Sequence, residues 1–195
     1  SSDVCSSDLE FDVYDTLMRV VAPPPQTGRV VIVDVDERSL ETVGQWPWRR
    51  DVFASLISRI RQLGAATIGV DVIFAEADRE AGGERSPDAQ LASVLREGDV
   101  VLGYAMRFDG AGTGANTCVR HPLGLAVLAP PDHDGSPVFH ATGATCSLPA
   151  LNEAAGRSGF LNAAPYSDGI LRRVRVLIEV GGATYPSLAL ATVAA

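Results

Sequence analysis

The chain has 195 residues, 46% of them hydrophobic and 21% charged, a globular composition that argues against disorder throughout. Its formal net charge is −8, all 16 basic residues are arginine, and no basic run exceeds two residues. Phosphate neutralisation supplies most of the affinity for nucleic acid, so this charge balance argues against a nucleic-acid partner. No stretch approaches the roughly 18 consecutive apolar residues of a membrane span.

Residues 1–9, SSDVCSSDL, are Ser/Asp-rich, lack an apolar period and do not lead into the residues behind them. They read as a sequencing-adapter-derived scar and are set aside, which removes Cys5 from the cysteine arithmetic. Residues 10–195 read as the N-terminal portion of one domain. The closing PSLALATVAA stops inside an apolar helical pattern without a cap, so the chain reads as a fragment.

Residues 30–35, VVIVDV, form a continuous β-branched run, the mark of a strand buried on both faces. DERSLETVG predicts a short helix that Gly44 ends in a left-handed cap. The segment QWPWRR comes next and opens a longer helix at Trp48 or Arg49. Its apolar residues Phe53, Leu56, Ile57, Ile60 and Leu63 recur at helical spacing, and Gly64 closes it. Residues 67–74 read as a second buried strand. Strand, helix and strand at this spacing predict a parallel βαβ unit.

Ser86 caps a predicted helix from Pro87 to about Arg96. A third strand starts at Asp99. Residues 107–147 turn to Gly, Pro, Thr, Asp and His with weak periodicity, an irregular insertion with one strand expected near Leu125. LPALNEAAG predicts a short helix. GFLNAAP and ILRRVRVLIEV flank the Asp-Gly turn signal YSDG and read as two strands joined by it. GGATYP then turns into a terminal helix. The expected class is α/β, a βαβ-based mixed sheet with flanking helices.

These segments in order resemble the CHASE family, type two, the cyclase/histidine-kinase-associated sensory extracellular domain. The resemblance rests on Asp34 and Asp36 after an apolar strand, Ser39-Leu40, Gly44, Trp46-Pro47-Trp48 with Arg50, and Gly69, Asp71 and Phe74. GFLN, DGILRR and YPSLA carry a second match, and LEFDVYDTLMRV is similar to the family's start. The likeness covers roughly residues 9–106 and 148–195. The insertion at 107–147 lies outside it, and the family's further strand-rich stretch is missing, which implies an incomplete C-terminal part.

The resemblance implies an input domain on the extracytoplasmic side of the bacterial cell membrane. It would serve an adenylate or guanylate cyclase, a histidine kinase or a Ser/Thr kinase, with the effector enzyme elsewhere and no catalysis or cofactor in this domain. Its partners would be an unidentified small-molecule or protein signal, the membrane through flanking helices outside this fragment, and a second copy in a homodimer.

Asp34 and Asp36 share one face of the first predicted strand. Asp71, Glu76 and Asp78 lie in or after the second. Oxygen-rich groups at the carboxyl ends of parallel strands suit a ligand or a hard cation. The competing reading is a set of structural carboxylates paired with arginine. Arg50 in a first helical turn opposes the helix dipole and calls for a carboxylate, with Asp34, Asp36 and Asp71 as candidates. Trp46 and Trp48 either lid the core or form a ligand shelf.

All three histidines, His121, His133 and His140, fall in the insertion with Cys118 and Cys146. In the implied oxidising compartment the two cysteines read as one disulfide, against free thiols. Cys-x-x-His at 118–121 also has zinc-ligand spacing. Two other classes stay open: a small metal-dependent α/β enzyme using Asp34, Asp36 and Asp71, and a protein-docking module built on the insertion.

Overall fold

A computed structural model describes residues 3–21, 28–79, 86–108, 118, 120–122, 139–163 and 168–195. The chain divides into two compact units, Ser1–Gly44 and Gln45–Ala195.

The first unit holds helix α1 (Asp3–Val20) and helix α2 (Glu37–Val43). One helix therefore runs through Leu9. Residues 30–35 form no strand. Val30 and Ile32 are 81% and 88% exposed, which corrects the expected buried strand and its pairing with residues 67–74. A β-branched run favours extended backbone, but a strand exists only where a partner completes its ladder. Asp36 caps α2, its carboxylate accepting from the Ser39 amide at 2.8 Å. Gly44 ends the helix at φ 111°, ψ 177°, a glycine-favoured conformation other than the expected left-handed cap.

The second unit opens with α3 (Arg50–Gln62), β1 (Ile68–Val70), α4 (Pro87–Arg96) and β2 (Val100–Arg107). β1 pairs parallel to β2, so the βαβ unit exists one step later than expected, with α4 between its strands. Next come β3 (Phe139–His140), β4 (Gly143–Thr145), α5 (Pro149–Ala155) and β5 (Ser158–Phe160). β5 pairs parallel to the middle of β2, and β4 pairs antiparallel to its end. β6 (Leu177–Val180), β7 (Ala183–Pro186) and α6 (Leu188–Val193) complete the chain. β3, β6 and β7 make a separate three-stranded sheet. The mixed α/β class stands.

The strands at 158–160 and 177–180 do not form the expected pair, because they belong to different sheets. The hairpin lies at Gly181-Gly182, both at positive φ, the conformation a tight two-residue turn between β6 and β7 requires. The insertion supplies β3 and β4, two short strands its weak periodicity conceals. The strand expected near Leu125 and His133 lie outside the described residues.

Two cores result. The first buries Phe53, Ile57, Phe74, Leu91, Leu95 and Leu151 against Val70, Val100 and Leu102 of the parallel strands. The second buries Tyr104, Met106, Phe160, Ile178 and Tyr185. α6 packs on β5 so closely that a Cβ on Gly159 would lie 2.5 Å from the Leu188 Cα, so only glycine fits there. Among the described residues, no helix is long and apolar enough to cross a membrane.

Candidate functional site

The segment QWPWRR places one charge. Arg49 offers no side-chain cap to α3. The cap comes from 28 residues away, where Asp78 Oδ2 accepts from the Arg50 amide at 2.8 Å. A carboxylate there satisfies an orphan amide and complements the positive end of the helix. The Arg50 side chain then turns inward. Its Nη2 donates to the Glu76 carbonyl at 3.1 Å, and its Nη1 to the Trp48 carbonyl at 3.4 Å. Its Nε lies 3.6 Å from Asp88 Oδ1. The other Asp88 oxygen accepts from the Asp78 amide at 2.9 Å. The guanidinium stacks on the Phe74 ring at 4.5 Å.

One arginine thus joins the start of α3, the loop after β1 and the first turn of α4. Arg50 and Asp78 are both buried. Arg50 is held by a carboxylate, as its place in the first turn requires, but the carboxylates are Asp78 and Asp88 rather than Asp34, Asp36 or Asp71. The signal for Asp88 was present. It is an acidic residue in a first turn behind the cap Ser86, whose hydroxyl accepts from Ala89.

The aromatics extend this node. Trp46 meets Trp48 edge-on at 5.7 Å and Phe53 at 6.3 Å, and Phe53 meets Phe74 at 5.1 Å. The row runs from half-exposed Trp46 into the first core, which is the geometry of a lid.

The remaining acidic candidates are not gathered here. Asp34 and Asp71 are exposed, and so is the Glu76 side chain, whose backbone carbonyl alone meets Arg50. Asp36 is engaged by the Ser39 hydroxyl at 2.6 Å as well as its amide, and these bonds hold its carboxyl below the usual range. Among the described residues, no three His, Cys, Asp or Glu side chains are grouped to hold a metal ion.

The insertion contributes a second constellation. Cys118 is bonded to Cys146, with Cα atoms 5.5 Å apart. The bridge fixes a short segment beside the second core. In that segment the His121 amide donates to Ser158 Oγ at 3.2 Å, and Nδ1 lies 3.3 Å from the same oxygen. Burial pushes the His121 pKa down, favouring the neutral ring. Arg120 stacks on the Tyr185 ring at 5.0 Å. Burial pushes the Tyr104 hydroxyl well above its usual range, against the opposing pull of the Arg120 charge. Sequence reasoning passed over Tyr104, Arg120 and Tyr185 because they lie on separate elements with no shared motif. His140 lies in β3.

Two chemical capacities emerge. The Arg50 node is an ion-pair and hydrogen-bond junction suited to holding elements together. The Tyr104–Arg120 region presents donors in an apolar setting, suited to binding an acceptor. A family model described as CHASE2 domain matches residues 2–195. No curated protein and no solved structure matches the chain.

Proposed function

Because this chain belongs to the CHASE2 domain family, we propose that it is the extracytoplasmic input domain of a membrane-bound bacterial signal-transduction protein. CHASE2 domains are sensory extracellular domains of signalling proteins and are not themselves catalytic. The observation that carries the proposal is the family match from residue 2 to residue 195. The Cys118–Cys146 bond supports it, since disulfides persist in oxidising compartments.

The effector is a cyclase, a histidine kinase or a Ser/Thr kinase elsewhere in the full protein. A signal, small molecule or protein, binds one arrangement of the domain better than another and shifts their populations. The shift is bounded by the difference between the two affinities. A homodimer would carry that shift to paired effectors.

Long-read sequencing across both ends of the reading frame tests this directly. The expected frame carries an upstream membrane helix and, downstream, further membrane helices and an effector domain. A frame without membrane segments on either side overturns the proposal. Alkaline phosphatase fused after Ala195 in the full-length protein gives the independent check. The enzyme is active only outside the cytoplasm, so high activity is expected and an inactive fusion of normal abundance contradicts the placement.

A further inference from the structure

Two buried hydrogen-bonding groups in the second core have no partner: the Tyr104 hydroxyl and Arg120 Nη1. Such groups are rare in folded proteins, and each calls for an explanation. Tyr104 is 1% exposed, on β2 opposite Phe160 of β5. Arg120, on the segment held by Cys118, lies over the ring of Tyr185 of β7, which shares the second core with Tyr104. A guanidinium only donates, and a tyrosine hydroxyl left beside it needs an acceptor for its own proton.

The surroundings define that acceptor. Arg120 contributes one positive charge, and the half-buried His121, with its pKa lowered, contributes none at neutral pH. One guanidinium balances a monoanion. A phosphate dianion would leave charge uncompensated in an apolar core. Two donors on separate side chains match the two oxygens of a carboxylate. The Cys118–Cys146 bond and the His121–Ser158 contact hold Arg120 from either side along the chain, so the guanidinium is positioned in advance.

We propose that the second core is the input site of the domain, taking a small monocarboxylate whose oxygens accept from the Tyr104 hydroxyl and Arg120 Nη1 beside the Tyr185 ring. This rests on the sensory reading for its purpose, and gives the signal a chemical class.

The test is calorimetric titration and thermal melting of the chain with sodium acetate, inorganic phosphate and sodium chloride at matched ionic strength. Acetate is expected to bind one to one and raise the melting temperature, while phosphate and chloride do neither. Tyr104→Phe keeps the ring and removes only the hydroxyl. It is expected to fold and to weaken acetate binding by roughly tenfold or more. Arg120→Gln is expected to abolish binding. Should Arg120→Gln fail to fold, Tyr104→Phe alone decides. Wild-type protein indifferent to acetate, Tyr104→Phe binding acetate as well as wild type, or phosphate binding in preference each overturn the site. Acetate binding in a protein whose fusions lie in the cytoplasm keeps the site and removes the sensory reading. An extracytoplasmic protein indifferent to acetate does the reverse.

Discussion

Arg50 and Arg120 are both stacked on an aromatic ring, at 4.5 Å from Phe74 and 5.0 Å from Tyr185, yet they stand in opposite electrostatic surroundings. Arg50 in the first core faces Asp88 across 3.6 Å and donates to two backbone carbonyls. Each arginine holds a buried nitrogen without a hydrogen bond, Arg50 Nε and Arg120 Nη1, but Arg50 Nε faces a carboxylate, whereas Arg120 lies over Tyr185 of a core whose Tyr104 hydroxyl is also without a partner. A buried charge that meets its counter-charge is part of the scaffold. One that does not marks a place where something else belongs. The contrast separates a junction from a binding site more sharply than residue type does, since both regions are built from Arg and aromatics.

Opening the bridge of the second core has the largest expected effect. Cys118→Ser with Cys146→Ser opens a loop with a sequence separation of 28 and is expected to cost about 3.5 kcal/mol on the entropic account. Heating under a dithiol reductant should show the same loss in the wild type and none in the double variant. The first core is tested next through its charge. Arg50→Ala leaves the partly buried Asp88 without its counter-charge and removes the buried guanidinium from Phe74, and is expected to cost about 3 kcal/mol, read from denaturant unfolding. A loss under about 1 kcal/mol would mean that the node is wetter and looser than the contrast requires.

A smaller effect is expected where Asp88 is presented. Ser86→Ala removes the cap of α4 and is expected to cost about 1 kcal/mol, a fall of roughly 2–4 °C in melting temperature for a domain of this size. The smallest effect carries the opposite sign. In buffer free of carboxylate, Tyr104→Phe deletes an unpartnered buried hydroxyl and is expected to stabilise by about 1 kcal/mol or less. Acetate should cancel that advantage by stabilising the wild type alone. A destabilised Tyr104→Phe in carboxylate-free buffer would show the hydroxyl already satisfied, and the two cores would no longer differ in kind.

Helices α2 to α6 were legible because their signals are local, whereas α1, without an apolar period, was not. Ser86-Pro87 opens α4 where the cap and the fixed proline φ place it. The apolar spacing of Phe53, Leu56 and Ile57 gave α3. LPALNEAAG gave α5, ended by Gly156 in the left-handed conformation. The strands were legible as apolar runs and illegible as pairs. Residues 30–33 and Val100–Leu102 carry similar side chains, yet the first are exposed and the second fully buried. Only the partner distinguishes them. The same limit applied at the candidate site. The need of Arg50 for a carboxylate was readable from its place in a first turn, whereas the identity of that carboxylate was not.

By itself, then, the sequence determined the family, the α/β class, helices α2 to α6 and the need of Arg50 for a carboxylate, because motifs, caps and periodicity act over a few residues, while it left Trp46 and Trp48 open between a lid and a ligand shelf. Tertiary structure alone decided which strands pair, that Gly181-Gly182 rather than Asp168-Gly169 turns a hairpin, that Asp78 and Asp88 hold Arg50, and that Tyr104 and Tyr185 share one core with Arg120 over the Tyr185 ring. Each of these joins distant positions, and the free energy that selects among such partners is burial and counter-charge, which exist only once the chain has closed on itself.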